Sequence, residues 1–300
     1  MKCLDVMRWL RLTPLLLLLV TGAARAELTI GITLHPYYSY VKNIVQDKAV
    51  VTPLIEAGFN PHAYQLSPAD LSRLNSMDVL VVNGIGHDEF AMEAVKKLKL
   101  PNLTLLYANQ AVPLISKANG KKHNPHTFVA IDAAIRQVYT IARELGKLDP
   151  ENAQFFLRNA FAYAKKLRVI KQAAMADISR INLSQIRIAS THNAYGYLLQ
   201  EFGMTVSAVV EPAHGVSPNA SQLQETINKI RAANVHILFT ELNMPNRYLD
   251  VIEKETRSRL FHFSHMTYGD YREDLVEVDM QHNLETLVTA LHFAAEQVSP

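Results

Sequence analysis

Short runs of β-branched and aliphatic residues alternate with helix-compatible stretches twice along this chain, and that alternation constrains the fold more than any other feature. The first set of runs covers residues 28–33, 50–55, 79–82 and 103–107; the second covers 187–191, 206–210, 235–240 and 260–263. Val79-Leu80-Val81-Val82 contains no polar residue, as expected of a strand covered on both faces. Strands separated by helices imply βαβ units and parallel sheets. The expected class is α/β, with two similar parallel-sheet lobes facing one cleft.

Between the two sets the chain is free of glycine and proline from Glu151 to Ile181. Phe156, Ala160, Ala164, Leu167, Ile170, Ala174, Ile178 and Ile181 recur at spacings of three and four, which predicts one long helix. Asp149-Pro150-Glu151 has the residue types of a helix start. About 31 residues at ~1.5 Å each reach roughly 46 Å, enough to run along both lobes and hold their separation. The same pattern also fits an ordinary long core helix. The expected organisation is a signal segment at 1–26, an N-terminal α/β lobe at 27–148, a linking helix at 149–182 and a C-terminal α/β lobe at 183–300.

The first 26 residues read as an export signal. Lys2, Arg8 and Arg11 precede the apolar run 15–20, and Ala24-Arg25-Ala26 suits cleavage before Glu27. The apolar run is too short to span a bilayer. Removing this segment's local +3 from the net +2 leaves the remainder near −1, which gives no electrostatic case for nucleic acid. Cys3 is the one cysteine and lies in the signal, so the exported chain has no disulfide and no thiolate. Any metal must be held by His, Asp or Glu, and all 12 histidines lie in the exported part.

Six of those histidines fall at expected C-terminal strand ends or in the loops just after them: His35, His62, His87, His192, His214 and His265. His126 precedes a helical pattern at Ile131, Ile135, Val138, Ile141 and Leu145. In open parallel sheets, ligands bind at those strand ends. His62 follows Gly58 and Pro61, ahead of Ser67 as an N-cap, Pro68 as a first helical residue and Asp70 in the first turn. The halves echo loosely: His35 and His192 end strands, and His62 and His214 each lead to a Ser-Pro pair. Three or four imidazoles suit Zn²⁺. At least three of these histidines are expected to be hydrogen-bonding loop residues, and His236, His262, His282 and His292 structural ones.

Enzymatic readings are poorer in motifs. The chain lacks His-Glu-x-x-His, a Gly-x-Ser-x-Gly nucleophile turn and a Gly-rich phosphate loop. Gly84-Ile85-Gly86 lacks the third glycine of a dinucleotide fingerprint. A three-histidine zinc hydrolase with an open coordination position is the alternative from another class.

Three motifs together resemble the periplasmic zinc- and manganese-binding proteins of bacterial ABC importers, over essentially the whole exported chain. They are Pro61-His62-x-Tyr64 with Ser67-Pro68-x-Asp70-Leu71, Asn124-Pro125-His126-Thr127-Phe128, and Thr191-His192-Asn193-Ala194-Tyr195-Gly196-Tyr197. The resemblance implies His62, His126 and His192 as metal ligands and a rigid helix between two lobes. It also implies a divalent metal cargo, an inner-membrane ABC permease as partner, a periplasmic location and no catalysis. A monomer is expected.

The chain departs from the family in places. The family's fourth ligand is usually an aspartate, and Ser264 falls at that place. Asn60 stands where a glutamate can precede the first histidine, and Lys121, Lys122 and His123 stand where many zinc members carry a His-rich loop. The fourth position is expected to hold water or a nearby side chain. His265 leads, ahead of Asp270 and Glu211, although neighbours on a strand point oppositely. A nitrogen-rich site favours Zn²⁺ as the bound ion, with Mn²⁺ the alternative.

Overall fold

The computed structural model describes residues 27–57, 64–116, 122–210, 217–243 and 247–298. In chain order it comprises β1 (Leu28–Ile32), α1 (His35–Val45), β2 (Ala49–Pro53), α2 (Pro68–Asn75), β3 (Val79–Val82), α3 (Glu89–Leu98), β4 (Thr104–Tyr107) and α4 (Ile131–Leu148). There follow α5 (Ala153–Ile178), β5 (Ile188–Ser190), α6 (Gly196–Gln200), β6 (Val206–Val209), α7 (Ala220–Ala232), β7 (Ile237–Glu241), α8 (Arg247–Glu255), β8 (Arg259–Phe263) and α9 (Leu275–Val298).

The strands form two four-stranded parallel sheets with the same internal order, β2-β1-β3-β4 and β6-β5-β7-β8. In each, the first strand has its second on one side and its third on the other. Loops leaving those inner strands diverge and open a crevice at the C-terminal edge. β3 is buried at all four residues, as its unbroken apolar run requires. The signals around α2 act as expected. Ser67 and Asp70 form a reciprocal capping box, with Pro68 in the first turn. In the second lobe the equivalent helix, α7, is capped by Asn219 and Gln222 instead.

The long helix is real but shorter at both ends than its pattern. Asp149 closes α4 rather than opening α5. Residues 149–152 are a tight reversal in which the Asn152 amide donates to Asp149 Oδ2 at 2.7 Å, and α5 begins at Ala153. Its 26 residues span roughly 39 Å at 1.5 Å each. Phe156, Ala160, Ala164, Leu167, Ala174 and Ile178 are buried in the main core, with Ile170 and Ile181 at its margin. That core is continuous from Ile30 and Val81 of the first sheet, through α1, α4, α5 and α9, to Ile237 and Phe263 of the second. The outer faces of the sheets carry smaller cores under α2 and α3 and under α7 and α8. Among the described residues no helix is long and apolar enough to cross a membrane.

Candidate metal centre

The loop after β3 shows why two glycines sit there. Gly84 and Gly86 have positive φ, and a Cβ on Gly86 would come within 2.9 Å of Pro125 Cβ. They lack a dinucleotide role; they let residues 83–88 turn sharply against the segment that carries His126. The buried Asp88 carboxylate accepts the backbone N–H of Asn83 at 2.6 Å and of Gly84 at 3.1 Å. Burial pushes that carboxyl up to about 6, against the pull of the two N–H bonds. The Asn83 amide donates to Gly86 O at 2.8 Å and to Pro125 O at 3.0 Å, which fastens the His87 turn to the His126 segment.

His126 is held from the other lobe as well. The Asn124 amide nitrogen donates to Asn193 O at 2.9 Å, so Asn124 Oδ1 faces the imidazole and accepts from His126 Nδ1 at 2.7 Å. The proton is thereby assigned to Nδ1, which makes Nε2 the candidate donor atom. Tyr197 of α6 donates to Asn124 O and accepts from Ile115 N–H, both at 2.9 Å. His192 follows β5, and its carbonyl is held by the Ser190 hydroxyl.

These constraints bring His126 Nε2 to 2.7 Å from His192 Nε2, across the two lobes. Donor atoms of His87, His126 and His265 all lie within 4.8 Å of one another, as do those of His192, Glu241 and His265. All five residues are buried. His265 Nδ1 lies 2.8 Å from Thr267 Oγ1, which makes Nε2 its candidate donor atom. The donor set is thus four imidazoles and one carboxylate.

The sequence-derived residues divide accordingly. His126 and His192 are brought together. His62 lies outside the described residues, as do Glu211 and His214. Ser264 faces away: its N–H donates to Asn283 Oδ1 at 2.6 Å and its hydroxyl to Asp279 at 2.7 Å. Both residues lie past the end of β8, so strand alternation does not govern them, and the segment after the strand carries His265 into the cluster. Asp270 is exposed and outside the cluster.

His35 also stands apart. It stacks on Tyr271 at 4.1 Å, and Gly269 O accepts from its Nε2 at 3.1 Å. Burial pushes its imidazole down to about 4 despite that bond, so it is neutral. Tyr271 in turn donates to Ile55 O at 3.0 Å, and Glu273 O accepts from Ser39 and Asn43 of α1. The segment following His265 is thus a strap tied down on the first lobe. His236 is a structural histidine, its Nδ1 accepting from Arg187 N–H.

Sequence reasoning placed His87 after a strand without selecting it as a ligand, and did not weigh Glu241. The available signal was the echo between halves. β3 and β7 occupy the same place in their sheets, His87 lies in the loop after one, and Glu241 ends the other.

Comparison with known proteins follows the geometry. A family model described as zinc-uptake complex component A, periplasmic, matches residues 30–290. A solved structure of the SBP FpvC from Pseudomonas aeruginosa in complex with Mn²⁺ is 49% identical, with a TM-score of 0.85, covering 89% of this chain and 98% of that one. A Ni²⁺ complex of FpvC is 48% identical with the same TM-score, covering 91% and 99%. The manganese ABC transporter substrate-binding lipoprotein PsaA of Streptococcus pneumoniae is 25% identical over 73% of this chain and 74% of its own length.

Proposed function

Because this chain belongs to the family of periplasmic metal-binding solute receptors of bacterial ABC importers, a non-catalytic transport class, we propose that it carries one divalent ion in its histidine cluster to an inner-membrane permease. The observation that carries this reading is the 2.7 Å approach of His126 Nε2 and His192 Nε2, each fixed by a different lobe. Two tetrahedral nitrogens on one Zn²⁺, with bonds of about 2.0–2.1 Å, stand roughly 3.3 Å apart. A small outward shift of the two rings therefore admits an ion. His87 and His265 have donor atoms within 4.8 Å of that of His126, so an all-imidazole set adjoins the pair. His62 keeps its place as a ligand on its motif alone.

For the cargo we infer zinc over manganese. Four imidazoles meet the coordination Zn²⁺ adopts, whereas Mn²⁺ favours oxygen donors and sits at the low end of the affinity order. The Mn²⁺ complex of a protein 49% identical to this one supports manganese as the second reading. Competition of Zn²⁺ and Mn²⁺ for the metal-free protein, with growth of a deletion strain under each limitation, tests the choice. Tighter zinc binding and rescue by zinc are expected. Tighter manganese binding, or a defect relieved only by manganese, reverses the assignment.

A further inference from the structure

We infer that Glu241 sets which divalent ions this receptor accepts, because with His192 and His265 it offers harder, higher-coordinate ions such as Mn²⁺ or Fe²⁺ a carboxylate beside imidazoles. The inference rests on the cargo reading of the cluster. Its own ground is the division of the donors. The set His87, His126 and His265 is purely imidazole, whereas His192, Glu241 and His265 includes a carboxylate, and His265 belongs to both. His265 is therefore the residue that the all-imidazole set and the carboxylate-bearing set have in common.

The two classes of ion use these donors differently. Zn²⁺ is satisfied by few ligands, and imidazole is among those it prefers. Mn²⁺ and Fe²⁺ bind nitrogen less strongly, favour oxygen and accept more than four donors. For them the carboxylate is a larger share of the binding. Charge adds affinity for every dication. Neutral imidazoles leave a dication uncompensated in a buried site, and Glu241, only 4% exposed, halves that charge where water cannot. That compensation is alike for any dication, so the difference between ions comes from donor preference.

Placement supports a built-in role. Glu241 is the last residue of β7, paired in register with Phe263 of β8, two residues before His265. Its backbone is thus fixed by the same sheet edge that aims His265.

The test compares the parent protein with Glu241→Gln, titrating Mn²⁺ and Zn²⁺ separately against a competing chelator. Mn²⁺ affinity should fall at least about 100-fold and Zn²⁺ affinity no more than about tenfold, so that the zinc-to-manganese ratio rises at least about tenfold. Equal losses for the two ions, or a larger loss for zinc, overturn the inference while leaving the cargo reading intact. A parent protein that binds neither ion overturns the cargo reading and the inference with it. Circular dichroism of the metal-free variant reports its folding. If it does not fold, metal-edge X-ray absorption of the parent decides. A first shell of five or more around Mn²⁺ against four around Zn²⁺ is expected, and four around both contradicts the role.

Discussion

Asn124 is the residue on which the geometry of His126 depends most. Its amide spans both lobes, with the nitrogen on Asn193 O and the oxygen on the imidazole. Asn124→Ala should lower metal affinity about 10–100-fold, the usual cost of losing a partner behind a metal-bound histidine. Calorimetry against a competing chelator measures it, and an unchanged affinity would show that His126 is aimed by its backbone alone. At this scale the sequence was legible where a motif surrounds the residue. His126 and His192 each sit in a distinctive stretch that also contains their supporting groups, Asn124 and Tyr197. His87 and Glu241 carry no such local signature. Their placement depends on the turn at Gly84 and Gly86 and on the register of β7, both set by contacts distant in sequence.

Between elements, a second cross-lobe tie lies behind the site. Glu201, which follows α6, accepts the Asp132 N–H at the start of α4 at 2.6 Å, and Lys171 of α5 lies 3.5 Å from its carboxylate and 2.6 Å from Asp132. Burial pushes the Glu201 carboxyl up to about 7, helped by the nearby Asp132 charge and opposed by Lys171. The native state therefore holds a proton that the unfolded chain releases near pH 4.5, and this group's contribution to stability falls as pH rises from about 4.5 to 7. Glu201→Gln keeps the acceptor and removes the titration. Its stability relative to the parent should rise between pH 5 and pH 8, measured as urea midpoints, and parallel midpoints would refute the shift. Element order and the α5 stripe were readable because burial imposes periods that local sequence displays. The ends of α5 were not, because the 149–152 reversal uses the same Asp-Pro-Glu signals as a helix start. The strap from His265 to Tyr271 was equally hidden, since its partners His35 and Ile55 lie more than 200 residues away.

Across the whole molecule, the two sheets share one hydrophobic core through α1, α4, α5 and α9. Wide separation of the lobes would expose that core at roughly 25 cal/mol for every Å² of apolar surface uncovered. Any opening that parts α5 from its neighbours therefore carries a cost set by that area. The same packing sets the distance between the two sheet edges that present His126 and His192. It also makes the position of the ion the central claim. Anomalous diffraction at the zinc edge from zinc-loaded crystals locates the ion directly. The account predicts one peak per chain between His126 and His192, about 2.0–2.1 Å from each Nε2. A principal peak that contacts only one of these two histidines, or neither, would contradict it.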